Sequence, residues 1–149
     1  MARILNQFDS RCMRLALDLA ASAAAAGEVP VGCVVARGEE VLYSDRNRSS
    51  KNVLHHAEML ALRGAADVCQ SRLDGTTVYV TLEPCLMCWG ALLHHRVGTV
   101  VYAAQSPKFG ALSVGKILEQ PFNHRPVVLS GLFSDEAAQL MQQFFRGKR

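Results

Sequence analysis

The sequence has no apolar run near the roughly 18 residues that a membrane-spanning helix needs. Its longest small-residue run, Ala20 to Ala26, is alanine-rich and broken by Ser22. A secretory signal would need an uninterrupted apolar stretch where the N-terminus carries Arg3, Asp9 and Arg11. Repeats, linkers and low-complexity segments are missing, and few blocks of charge argue for disorder. These absences lead us to expect a soluble cytoplasmic protein with no membrane contact. With 149 residues, 50% of them hydrophobic, a single domain spanning 1–149 is expected, because chains divide mainly beyond about 250 residues. Sixteen Lys and Arg against 13 Asp and Glu give a net charge of +3, too mild by itself to announce a nucleic-acid binder. The charge is uneven, however: Arg146-Gly147-Lys148-Arg149 holds three cations and no acid.

Cysteine is sparse and odd in number. Cys12, Cys33 and Cys69 are scattered through apolar segments, where a free thiol acts as a small hydrophobe. Only Cys85 and Cys88 form a close pair, as C-x-x-C. Without a secretion signal, that spacing points to metal or redox chemistry rather than to a disulfide framework.

Hydrophobic periodicity predicts alternating helices and strands. Helices are expected over 8–26, 57–68, 85–95 and 135–146, and strands over 32–37, 41–45, 77–82, 97–104 and 127–129. Gly38-Glu39-Glu40 reads as the turn of a hairpin. This order predicts a single α/β domain with helices covering a mixed sheet.

Two motifs carry chemistry. His56-Ala57-Glu58 opens one helix, and Glu83-Pro84-Cys85-Leu86-Met87-Cys88 leads from a strand into the next. One imidazole and two thiolates form a zinc ligand set that leaves the fourth position open. Helix N-termini lower thiol pKa values, which prepares Cys85 and Cys88 to ligate. Glu58, two residues from His56, supplies a carboxylate beside a metal-activated water, the usual requirement for a proton shuttle. A redox pair has no use for His56 and Glu58, and a zinc ribbon would need two more ligands. H-x-E with P-C-x-x-C is the pattern of the zinc nucleobase deaminases.

On these motifs the sequence resembles the bacterial tRNA-specific adenosine deaminases, within the cytidine-deaminase-like superfamily. The resemblance runs from Met13 to Arg149. It extends to Glu28-Val29-Pro30-Val31-Gly32, Asn47-Arg48, Lys108-Phe109-Gly110, Asn123-His124-Arg125 and Phe144-Phe145-Arg146. It implies a three-layer α-β-α fold whose mixed five-stranded sheet carries helices on both faces, and a homodimer. It further implies one Zn2+ per subunit on His56, Cys85 and Cys88, with Glu58 as the catalytic proton shuttle. The implied reaction converts adenosine to inosine at the wobble position of a tRNA anticodon stem-loop, by zinc-activated hydroxide attack at C6. Asn47 and the Ala57 amide would fix the base edge, and Pro30 and Val31 would line the pocket. For RNA, Phe144, Phe145, Arg146, Lys148, Arg149 and Lys108 would supply stacking surfaces and phosphate partners.

Other readings stay open. Two phenylalanines near a helix end also serve a core, and cations in a last turn complement the helix dipole. Asn52-Val53-Leu54-His55 replaces the family's usual run before the zinc histidine, in a segment shorter than usual, and Gln105-Ser106-Pro107 lacks an acidic group before Lys108. Both changes suit a deaminase of a free base or nucleoside, of guanine or cytosine type. A third reading, a zinc-bearing partner subunit without activity, is opposed by Glu58. His55 is expected in a supporting or surface role, and His94-His95-Arg96 on a solvated helix end. Gly110 to Lys116 has P-loop spacing, but Ile117 stands where Ser or Thr must bind magnesium.

Overall fold

Alternate residues along the central strands are buried on opposite faces, and this period of two builds the architecture. In a computed structural model, described for residues 3–148, the strands are β1 (Gly32–Arg37), β2 (Glu40–Arg46), β3 (Thr77–Leu82), β4 (Thr99–Ala104) and β5 (Val127–Ser130). The helices are α1 (Gln7–Ala25), α2 (Ala57–Cys69), α3 (Leu86–His94) and α4 (Ser134–Arg146). Cys33, Val35, Val78, Val80, Val100 and Tyr102 face one core, shared with Ala61 and Leu62 of α2 and Trp89 and Leu92 of α3. Val34, Ala36, Tyr79, Val101 and Ala103 face the other, shared with Met13, Ala16 and Leu17 of α1 and Ala137 of α4. The sheet is therefore covered on both sides, in the order β2-β1-β3-β4-β5. It is mixed, as expected: β1 is antiparallel to β2 and β3, while β3, β4 and β5 are parallel.

The first helix is tied to the sheet by one carboxylate. Asn6 and Asp9 cap α1 reciprocally, which satisfies two amide donors at its start. The buried Asp9 also accepts a hydrogen bond of 2.5 Å from the Tyr79 hydroxyl and pairs with Arg3. Burial, with that carboxylate as acceptor, pushes the Tyr79 hydroxyl far above its usual pKa. Gly32 permits close approach on the same side, because a Cβ there would fall 1.9 Å from the Ala16 carbonyl oxygen.

Beyond shifts of one residue at element ends, sequence and structure differ at three places. Val97 lies outside β4 and instead bridges to Asp74, because Arg96 takes a left-handed conformation with φ 59° and turns the chain there. The segment Ile117–Glu119 forms a 3-10 turn that no periodicity marked. Of the expected solvated helix end, only His94 is exposed. The His95 ring donates from Nδ1 to the Ala91 carbonyl at 2.8 Å, and the His95 carbonyl accepts from Leu73 N at 2.8 Å. The imidazole thus adds a second donor to the Ala91 carbonyl, which already accepts from the His95 amide at 3.1 Å.

Candidate active site

β2 and β3 are both antiparallel to β1, so they run the same way and release the chain at one end of the sheet. The segment after β2 leads to His56, the N-cap of α2, and the segment after β3 leads to Cys85, the N-cap of α3. N-cap side chains usually accept from their own helix; neither of these does. They turn toward each other instead. His56 Nδ1 lies 3.6 Å from Cys85 Sγ and 3.4 Å from Cys88 Sγ, and the three ligand atoms all fall within 4.8 Å of one another. Zinc bonds of about 2.0–2.1 Å to nitrogen and about 2.3 Å to sulfur put tetrahedral N···S edges at about 3.5 Å. The three side chains already stand at that spacing, so the donor set fits a zinc ion with one position left open.

The electrostatics agree with a ligand role. Hydrogen bonding from the Cys88 thiol, and then from the His56 ring, holds Cys85 down to about 4. Cys88 is pushed well above the usual thiol range by the same shared hydrogen bond and by burial. His56 is raised, chiefly by its bond to Cys85. The pair thus carries one negative charge and one proton, and binding a metal would release the proton.

Glu58 follows two residues after His56, in the first turn of α2, and is only 4% exposed. Burial raises its carboxyl to about 7, with the Cys85 charge adding to the rise. A group poised near neutrality both accepts and returns a proton without a large penalty in either direction.

The pocket candidates gather at the same sheet end. Pro30 and Val31 immediately precede β1, Asn47 immediately follows β2, and all three are buried. Asn47 N donates to the Val31 carbonyl at 3.0 Å, joining the two segments. The Asn47 side-chain amide donates to Ser49 Oγ at 3.1 Å, and Ala57 is fully buried at the start of α2. Ser50, through its amide at 3.1 Å and its hydroxyl, is held by the Glu28 carboxylate.

Residues 6–104 match the family model for the cytidine and deoxycytidylate deaminase zinc-binding region. The chain belongs to that zinc deaminase family. A tRNA-specific adenosine deaminase of Agrobacterium fabrum is 42% identical over 142 residues, covering 92% of this chain and 93% of its own. A chain solved in studies of A-to-I editing by tRNA:A34 deaminases at the wobble position of transfer RNA is 38% identical. It covers 88% of this chain and 99% of its own, with a TM-score of 0.85. A guanine deaminase from Nitrosomonas europaea is 25% identical, covers 95% of this chain and 86% of its own, and has a TM-score of 0.77.

In this deaminase one organising residue was not singled out from the sequence. Glu83, two residues before Cys85, is 3% exposed. Its carboxylate accepts from the amides of Ser106 (3.1 Å), Leu112 (3.0 Å) and Ser113 (2.8 Å), and from the Ser113 hydroxyl (2.5 Å). The loop with P-loop spacing therefore gives amides to an internal carboxylate. A carboxylate ending a buried strand was the available signal, since a buried charge must find donors. Gly110 is needed for this wrapping, because a Cβ there would lie 2.0 Å from Glu83 Oε2. Gly110→Ala is expected to cost about 1–3 kcal/mol and to speed hydrogen exchange at the Leu112 and Ser113 amides. Unchanged protection at both would show that Glu83 does not anchor the loop.

The proposed RNA residues fall in two places. Phe144 and Phe145 pack edge to face at 5.3 Å, with the Lys148 ammonium 5.2 Å from the Phe144 ring and Arg146 exposed. Lys108 is exposed on the loop clamped by Glu83. Arg149 lies outside the described residues. α4 lies beside α1 and points the same way: Arg14 pairs with Glu136, and further along Ala21 and Gln143 line one groove. His55, half-buried, lines a groove of about 530 Å³ with Leu54, Met59, Leu60, Ala91 and His95.

Proposed function

We propose that this deaminase converts adenosine to inosine at the wobble position of a tRNA anticodon, consuming one water and releasing ammonia. The observation that carries the reading is the open three-ligand zinc site with Glu58 beside it, in a chain whose last helix ends in aromatic and cationic residues. Its similarity to wobble-position deaminases over nearly the whole chain supports the same substrate.

His56, Cys85 and Cys88 hold the metal in this reading, and zinc when bound supplies a water activated as a nucleophile toward C6. Glu58 holds and moves the proton that ring nitrogen N1, and then the departing ammonia, require. The Ala57 amide and the Asn47 side chain orient the base edge. Pro30 and Val31 form an apolar wall that excludes bulk water, which strengthens each polar contact. Phe144, Phe145, Arg146 and Lys148, with Arg149 and Lys108, engage the anticodon stem-loop by stacking and by charge. The enzyme works in the cytoplasm as one domain per chain. It pairs as a homodimer, for which the groove beside α2 and α3, with Leu54 53% exposed, offers apolar surface. Among the described residues no helix is long and apolar enough to cross a membrane.

Ammonia release from zinc-loaded protein tests the reading, with a wobble-adenosine tRNA in one arm and free bases and nucleosides in the other. Turnover of the tRNA alone is expected. The altered segments Asn52-Val53-Leu54-His55 and Gln105-Ser106-Pro107, with the fold shared with a guanine deaminase, favour a second reading, a free-base deaminase. Turnover of guanine or cytosine alone would establish that reading in its place.

A further inference from the structure

The loop clamped by Glu83 presents an apolar surface directly beside a metal ligand. Cys85 and Gly110 form an antiparallel bridge, and Ala111 N donates to the Pro84 carbonyl at 2.9 Å in the same register. The bridge therefore brings Phe109, the residue before Gly110, and Leu86, the first residue of α3 after Cys85, to the same rim of the site. Phe109 is 77% exposed and Leu86 63% exposed. Single exposed apolar residues are ordinary, but a neighbouring aromatic and aliphatic pair at the rim of a site marks a binding surface.

Three features restrict what this surface takes. Phe109 is planar, so a flat ring covers it best, and stacking on an aromatic is open to every base. The exposed Lys108 adjoins it, matching an aromatic face with a cation as a nucleotide matches a base with a phosphate. The hydrogen bonds from residues 106, 112 and 113 to Glu83 hold the loop in place before anything binds, so little ordering entropy is lost on contact.

We propose that Phe109, beside Leu86 at the rim of the site, is a specificity-determining shelf that stacks the nucleotide next to the target adenosine, with Lys108 on its phosphate. The proposal rests on the wobble-deaminase reading. Splaying the target base into the pocket unstacks its neighbour, and the shelf gives that neighbour a new partner at the pocket's edge.

Steady-state kinetics on anticodon stem-loop RNA test this with the zinc-loaded parent, Phe109→Ala and Phe109→Trp. Three RNAs are used: intact, abasic on the 5′ side of the target, and abasic on the 3′ side. On intact RNA, Phe109→Ala is expected to raise KM about 5- to 150-fold with kcat within about twofold, while Phe109→Trp stays near the parent. On one of the abasic RNAs the difference between Phe109→Ala and the parent should vanish, which names the stacked nucleotide. A parent-like KM for Phe109→Ala on intact RNA would overturn the shelf and leave the wobble reading standing. Equal losses on all three RNAs would overturn it too, because the effect would not run through a neighbouring base. A parent protein inert on RNA but active on a free base would remove the wobble reading, and the shelf with it.

Discussion

Replacing Glu58 by glutamine is expected to lower kcat for deamination by about 10²–10⁴-fold while leaving one zinc per chain and RNA affinity near the parent's. The argument starts from burial: the side chain is 4% exposed, so glutamine fills the same space and the fold should tolerate it. What glutamine cannot do is accept and return a proton. The carboxyl stands at about 7, set first by burial, so at neutral pH both protonation states are populated. Removing that property slows the proton transfers to the ring and to the leaving ammonia while His56, Cys85 and Cys88 all remain in the chain. Single-turnover inosine formation, with elemental analysis of the same preparation, measures both parts. Activity within about threefold of the parent would assign the proton to another group. Zinc lost together with activity would instead make Glu58 a support for the metal ligands.

The second large effect concerns the metal. Cys88→Ala is expected to hold far less than one zinc per chain and to lose activity by at least about 10⁴-fold. Chelation should do the same to the parent, reversibly. Cys88 is fully buried at the start of α3, and His56 Nδ1 stands 3.4 Å from its sulfur. Its loss therefore leaves an imidazole and a single thiol, too few donors to hold the ion with one position open. Added zinc should restore the chelated parent and should not restore Cys88→Ala. The melting temperature of the chelated parent should also fall, because a ligand bound only by the folded state stabilises it by mass action. A Cys88→Ala protein that kept stoichiometric zinc and full activity would require a different third ligand.

Much of the scaffold was legible because it rests on local rules. The near-continuous apolar runs of Thr77–Leu82 and of Thr99–Ala104 marked strands buried on both faces, and the three- and four-residue spacing in Gln7–Ala25 marked a helix. The His56-Ala57-Glu58 and Pro84-Cys85-Leu86-Met87-Cys88 motifs were legible for another reason. Zinc chemistry accepts few residue types, and three of them stood with an acid at a diagnostic spacing.

Other features were hidden because they depend on partners distant in the chain. Glu83 reads as an ordinary polar residue until the strand buries it and residues 106, 112 and 113 close around it. His95 reads as a solvated cation until Ala91 and Leu73 engage it. Phe109 is legible only as part of Lys108-Phe109-Gly110 until the fold leaves it exposed on a clamped loop.

The amino-acid sequence by itself pointed to the side chains proposed to hold the metal and move the proton, because few residue types at that spacing can serve those roles. It also set the order of helices and strands, because periodicity is a property of neighbouring residues. Only the tertiary structure decided that β2 and β3 release the chain at the same sheet end, so that His56 meets Cys85 and Cys88 at the spacing of ligands around one metal ion. It alone decided that Glu83, at the head of the cysteine motif, anchors the loop from residue 106 to residue 113. The physical reason is that strand direction and burial are set by packing between distant segments, and a buried charge draws its donors from wherever the fold brings them.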